Sequence, residues 1–272
     1  MADRTTWTPR QKRQGVMSDD DSASAAGDTT AERTGRLTEA VRDQSFANLK
    51  PRDSATLILI DRAERVPKVL LGRRHERHRF LPGKFVFPGG RVERSDRLMP
   101  TLAPLHARDT ARLMRQVKRP SAAKAASFAL AAIRETYEET GLMLGARTSG
   151  AIAAPDGVWQ AFAKAGVLPD LSRIHFIARA ITPPRRPRRF DSRFFAAEIS
   201  AVAHRAEGFF GPDAELVELV WMPITEARSL DMPAITAVAL EDLQERIAAG
   251  MSPNHPVPFY RMLHKRFVRT VF

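Results

Sequence analysis

The sequence predicts an α/β domain of the α+β kind, an α/β/α sandwich with a mixed β-sheet flanked by helices. Three observations predict it. Apolar runs of strand length alternate irregularly with helical stretches, and several connections are short enough for hairpins. An alanine-rich run in the middle of the chain carries strong helix propensity. Hydrophobic residues make up 43% of 272 residues, ample for a packed core in one large domain.

Residues 1–35 are polar and lack an apolar period, which predicts a disordered N-terminal tail ahead of a single domain over 36–272. Residues 37–49 predict a short helix, and Pro51 marks the domain boundary. Residues 54–60 read as a buried strand and 66–71 as its hairpin partner. A very basic loop follows over 72–80. A short strand at 84–87 then runs into Pro88-Gly89-Gly90. Residues 105–117 predict an amphipathic helix.

Ser121 is a good N-cap, the alanines favour a helix over 122–140, and Gly141 is a typical stop. Ala126, Leu130, Ile133 and Tyr137 share one side at helical spacing and should face the core. Glu135, Glu138 and Glu139 fall roughly opposite, toward a cleft or solvent. Beyond it, 157–165 reads as a helix, 174–181 as a strand and 183–189 as a stiff basic turn. Strands follow at 190–199 and 216–222, then a helix after Pro223-Ile224, and another over 232–249 forming a C-terminal helical extension. Residues 253–272 show no clear pattern.

The absence of cysteine rules out disulfides and thiolate metal sites, and suits a cytoplasmic location. No apolar run approaches the roughly 18–20 residues of a membrane helix, and the N-terminus lacks a signal-peptide apolar region. The net charge is +12. A basic composition bias explains this as well as an anionic partner does. Interleaving of basic and aromatic residues is thin, with two Tyr and three Trp, which argues against a nucleic-acid groove. The sequence is compatible with a homodimer.

The chemistry is concentrated in Arg134-Glu135-Thr136-Tyr137-Glu138-Glu139-Thr140-Gly141. It places three carboxylates at i, i+3 and i+4 on one side of a helix. Held together they repel unless cations neutralise them, and oxygen ligands of this kind suit Mg²⁺ or Mn²⁺. On this stretch alone a solvated helix end is an equally good reading. The Gly-Gly turn after an apolar strand shifts the balance, because glycine backbone allows close approach to a phosphate or metal.

Arg134-Glu135-x-x-Glu138-Glu139-x-Gly141-Leu142 resembles the second half of the box that defines the Nudix hydrolases, and Gly89-Gly90-Arg91-Val92-Glu93 resembles the first half. Asp96 stands where the pattern expects a glutamate after Gly90. Arg134 comes roughly thirty residues later than the pattern has it, so residues 97–126 read as a helical insertion that splits the box. Thr136 replaces an aliphatic residue. A split box resembles the coenzyme A diphosphatase-like subgroup. So do Leu70-Leu71-Gly72-Arg73-Arg74, the run from Gly83 to Gly90, and Arg188-Arg189-Phe190-Asp191-Ser192-Arg193-Phe194-Phe195.

The resemblance implies a Nudix-like fold and metal-dependent hydrolysis of a small-molecule nucleotide diphosphate. Glu135, Glu138, Glu139 and the Gly90 carbonyl would hold Mg²⁺ or Mn²⁺. Glu138, Glu135 and Arg134 form the catalytic group. One glutamate, Glu138 or an acid from a later loop such as Glu215, Glu218 or Glu198, would take the proton of the attacking water. Arg134 would orient a glutamate, with Asp96 in support and Glu93 a weaker candidate. Arg73, Arg74, Arg188 and Arg189 would contact substrate phosphates. The implied substrate is coenzyme A or an acyl derivative, giving 3′,5′-ADP and phosphopantetheine. The alternatives are another nucleotide (NADH, a nucleotide sugar, a dinucleotide) or a non-catalytic nucleotide- or RNA-binding domain of the same fold. His75 and His78 read as loop residues, and Phe85, Phe87, Phe194 and Phe195 as core.

Overall fold

The structure, a computed structural model, describes residues 29–78, 81–209 and 214–272. The predicted tail therefore lies outside the described residues except for its end, and that end is helical. Helix α1 spans Thr30–Glu39, with Thr29 and Glu32 closing a capping box at its start. The helix predicted over 37–49 is not formed. Helix α1 starts at its cap, Thr29, and ends at Glu39, and the chain beyond runs without regular structure to the first strand.

The strands then come as β1 (Arg52–Asp61), β2 (Lys68–Arg74), β3 (Phe85–Val86) and β4 (Gly89–Arg91), followed by α2 (Ala107–Met114) and α3 (Ala122–Thr140). Next are β5 (Leu142–Leu144), β6 (Ala146–Arg147), α4 (Trp159–Ala165), β7 (Val167–Leu168), β8 (His175–Ile181), β9 (Phe190–Glu198), β10 (Val202–Arg205) and β11 (Leu216–Pro223). Helix α5 (Ala234–Ala248), β12 (Pro258–Leu263) and β13 (Arg266–Val271) end the chain. The predicted helix after Pro223-Ile224 is only a 3₁₀ turn at Ala227–Ser229. The C-terminal extension is not purely helical: after α5 it is a β-hairpin that joins the main sheet. Over 97–126, the stretch predicted as a helical insertion, the chain forms α2 and the first turn of α3, and a 3₁₀ turn precedes α2 at Ser95–Arg97.

Among the described residues the main sheet has nine strands, ordered β11-β2-β1-β9-β8-β12-β13, with β3 on β2 and β4 on β1. It is mixed: β1 runs parallel to β9 and β12 to β8, and the other pairs are antiparallel. The period of two along each strand sorts side chains to two faces. Leu57 and Leu59 join one core with α3, while Ile58 and Ile60 join another with α5, so helices cover both faces.

Strand β1 changes partner along its length. Its end pairs with β2 through Ile60↔Val69, and its beginning pairs with β4 through Thr56↔Gly89 and Ala55↔Gly90. The sheet thus parts between β2 and β4, over the C-terminal end of α3. That helix is less two-sided than its spacing predicts. Ala125, Ala129, Ala131 and Ala132 are all buried with Phe128, Leu130 and Ile133, so small side chains let it sink into the core on most of its circumference.

Candidate active site

The last turn of α3, strand β4 and the 3₁₀ turn at Ser95–Arg97 meet at one place, and Arg134 joins them. Its Nε donates to Asp96 Oδ1 at 2.8 Å and its Nη2 to Asp96 Oδ2 at 3.3 Å. Its Nη1 donates to Glu135 Oε1 at 2.9 Å and Glu138 Oε2 at 2.5 Å, and its Nη2 also reaches the Arg91 carbonyl at 2.7 Å. Arg134 and Asp96 are buried. Burial pulls the guanidinium pKa down, but Asp96 and the two glutamates more than offset this and hold it above the ordinary value. Asp96 also accepts the backbone N–H of Glu93 at 2.7 Å, which ties the turn after β4 to the helix.

The Gly-Gly turn is required by contact. A Cβ on Gly90 would lie 2.3–2.4 Å from the Glu135 carboxylate, and one on Gly89 would meet the backbone of Ala55 and Thr56 at 2.7–2.8 Å. The Gly89 backbone lies near enough to the Glu139 carboxylate to favour its charged form. Glu139 is buried, and its Oε2 has no hydrogen-bond partner among the described residues.

Three carboxyls here are harder to ionise than usual. Burial pushes Glu135 up to about 7, opposed by Arg134 and helped by the charge of Glu138. Burial, then the charges of Glu215 and Glu135, push Glu139 well up. Burial raises Glu138, against the pull of Arg134. Glu215 enters the site from the segment leading into β11 and pairs with Arg74 at 2.7 Å.

Among the described residues no group of three or more His, Cys, Asp or Glu stands as a ready-made metal cage. The residues nonetheless fit a hard divalent cation. They offer an orphaned buried carboxylate oxygen, a glycine backbone at van der Waals range of another carboxylate, and oxygen donors whose mutual charge Arg134 only partly offsets.

The site opens into a cleft of about 370 Å³ lined by Gly89, Gly90, Glu93, Glu135, Glu215 and Arg74 among others. Of the four predicted phosphate-contacting arginines, Arg74 and Arg188 reach this cleft. Arg73 is held by Glu218 at 2.8 Å. Arg189 spends its donors on Asn48 and the carbonyls of Leu49 and Thr182. Glu198 pairs with Arg62 at 2.7 Å and lines a different concavity. His75 and His78 stack edge to face in their loop.

Two adjoining clefts escaped the sequence reading. An apolar cleft of about 360 Å³ shares Leu81, Thr182, Phe194 and Ile235 with the acidic one, and Leu37 of α1 lines it together with Val41 just beyond the helix. A basic cleft of about 960 Å³ shares Arg91, Arg188 and Phe190 with it on another side. The parity of Asp191 and Arg193 near the start of β9 was the sequence signal for the second. Nothing local signalled that Arg52, Lys118 and Lys124 would join them.

A scan against protein-family models finds no match, and no curated protein matches the chain. Among solved structures, the chain is similar to a Nudix hydrolase from Alicyclobacillus acidocaldarius at 30% identity, covering 75% of this chain and 93% of that one, with a TM-score of 0.53. It also matches the Nudix domain of Shewanella oneidensis NrtR complexed with ADP ribose, at 14% identity, with 78% and 97% coverage and a TM-score of 0.41. RenU, a Nudix hydrolase of M. smegmatis, matches at 16% identity, with 75% and 91% coverage and a TM-score of 0.39.

Proposed function

The chain belongs to the Nudix hydrolase family, and on that premise we propose that it is a metal-dependent hydrolase cleaving the diphosphate of coenzyme A or an acyl derivative. One observation carries the catalytic part: Gly89 and Gly90 lie against Glu139 and Glu135, although the chain runs through α2 between them. This supports reading the two halves as one box divided by an insertion, with Asp96 bonded to Arg134 where the first half ends.

Gly90, Glu135, Glu138 and Glu139 would hold the Mg²⁺ or Mn²⁺. When bound, the ion supplies charge neutralisation for the diphosphate and lowers the pKa of water. The chain's own groups do the rest. Glu138 is the most exposed of the three acids, and burial raises its pKa against the pull of Arg134, which makes it a stronger base than an ordinary carboxylate. It takes the proton of the attacking water as the oxygen bonds to one phosphorus and the bridging P–O bond breaks. Arg134 keeps Glu135 and Glu138 at fixed positions. The glycine backbone leaves room for phosphate oxygens to approach. Glu215, facing Glu135 and Glu139, is a second proton acceptor in reach of the same site.

The adjoining clefts support the choice of substrate. A diphosphate seated at the acidic site has a basic concavity on one side for a phosphorylated nucleoside, and an apolar one on another for a pantetheine or acyl arm. The test is a substrate panel with Mg²⁺ or Mn²⁺, with products identified by mass. Coenzyme A should give 3′,5′-ADP and 4′-phosphopantetheine, and Glu138→Gln or Glu139→Gln should lower kcat by about a hundredfold or more. Faster cleavage of NADH, a nucleotide sugar or a dinucleotide reassigns the substrate. Unchanged rates in both variants remove the catalytic assignment.

A further inference from the structure

The basic cleft has a composition that packing does not explain. Nine of its lining residues are Lys or Arg and two are Asp. The two acids are already matched. Asp53 pairs with Arg193 at 2.8 Å and Lys124 at 3.4 Å, and Asp191 with Arg179 at 2.6 Å and Arg193 at 3.3 Å. Arg193 is buried over the Phe128 ring at 3.9 Å, and its Nε and Nη2 find no hydrogen-bond partner among the described residues. Its positive charge therefore sits beneath the cleft only partly compensated.

Around the rim, Lys50, Arg52, Arg91, Lys118 and Arg188 have no side-chain ion pair or hydrogen bond among the described residues. A solvated surface would spread such charges, but here they converge on one concavity of ligand size. Arg91 and Arg188 line both this cleft and the acidic one, so the two are continuous. Lys118 comes from the insertion, Arg52 from the first residue of β1 and Arg188 from the turn before β9.

The geometry points to an anion subsite in which Arg52, Lys118 and Arg188 hold a phosphate monoester carried on the nucleoside half of the substrate, beyond the diphosphate itself. Arg offers a planar fork to phosphate oxygens and Lys a mobile point charge, and the dianion relieves the repulsion among them. The subsite rests on the diphosphate reading of the adjoining cleft for the placement of the nucleoside. It gives the proposed insertion a role: residues 97–126, read as dividing the box, deliver a cation to the substrate's far end. It also replaces Arg73 and Arg189, which the structure engages elsewhere.

Calorimetric binding of adenosine 3′,5′-bisphosphate and adenosine 5′-monophosphate to the full chain reads the subsite without requiring hydrolysis. The bisphosphate should bind at least about tenfold more tightly, from charge-assisted contacts to the extra phosphate. Arg52 and Lys118 are exposed, so the Arg52→Ala/Lys118→Ala variant should fold normally and bring the ratio close to one. Lys118→Glu alone should weaken the bisphosphate more than the monophosphate. Equal affinities for the unmodified chain, no bisphosphate binding up to about 1 mM, or a preference that the double variant keeps would each overturn the subsite. The two readings fail separately. Cleavage of coenzyme A with no bisphosphate preference discards the subsite and keeps the hydrolase. A preference abolished by the double variant, with no diphosphate cleaved, keeps the subsite and discards the hydrolase.

Discussion

Arg134 makes five donor contacts to four groups on three segments of chain, and no other side chain has the shape to do this. Lysine keeps the charge but offers one point of attachment. Arg134→Lys should therefore fold, yet release Glu135 and Glu138 from fixed positions and lower hydrolysis by about 10–100-fold, as losses of a supporting contact to metal ligands do. Asp96→Ala removes the carboxylate that meets the buried guanidinium and should cost about 3–5 kcal/mol in urea denaturation. The two glycines separate the same effects. An added Cβ at Gly90 meets only the far end of the Glu135 side chain, which can swing away, so Gly90→Ala should leave Tm nearly unchanged while activity falls by more than about tenfold. At Gly89 the Cβ meets the backbone of β1, so Gly89→Ala should lose about 1–3 kcal/mol of stability. A Gly90→Ala variant of full activity would show that Glu135 does not need its present position.

At the scale of elements, α3 was legible because local and tertiary signals agree on it. Ser121 accepts the Lys124 N–H, the alanines favour the helix, and Gly141 ends it at φ 74° with its N–H on the Tyr137 carbonyl. Gly141→Ala places a Cβ 2.6 Å from the Ala206 carbonyl oxygen in a left-handed conformation, so a loss of at least about 1–3 kcal/mol is expected by chemical denaturation. Other elements were not legible, for reasons visible in their residues. Strand β4 is Gly89-Gly90-Arg91, three residues with almost no side chain to pattern, and it is a strand only because β1 pairs with it. The β12–β13 hairpin alternates poorly, with Arg261, Arg266 and Arg269 interrupting its apolar residues. Helix α1 carried a readable capping box at Thr29 and Glu32, but its buried face includes Arg33, a residue that periodicity scores as solvent-facing.

The whole molecule explains why the acidic site was readable and its surroundings were not. Glu135, Glu138, Glu139 and Arg134 lie within one helical turn and a half, so spacing alone brings them together. The basic cleft draws on β1, the segment between α2 and α3, α3 and the turn before β9, and the apolar one on α1, β8 and α5. Only the folded sheet unites them. The same distance hides what holds α1 to the opposite face. Arg33 is buried against Asp242 at 2.9 Å, Glu241 at 3.1 Å and Glu245, three acids of α5. Burial pushes the Asp242 carboxyl up to about 7, with the Tyr260 hydroxyl and the Arg33 charge pulling it down. A carboxyl raised in this way binds its proton more tightly folded than unfolded, so its contribution is intact below the unfolded value of about 4 and is lost as pH rises through about 7. Arg33→Ala removes one of the groups that pull Asp242 down and leaves Asp242 and Glu241 buried beside each other, driving the Asp242 pKa higher still. The variant should be destabilised by about 3–5 kcal/mol near pH 8. The gap to the unmodified chain should narrow toward pH 4, where Asp242 is protonated in either chain. Urea denaturation at the two pH values measures it. A penalty that is small, or equal at both, would mean that α1 is held by Leu37 and its apolar neighbours rather than by charge.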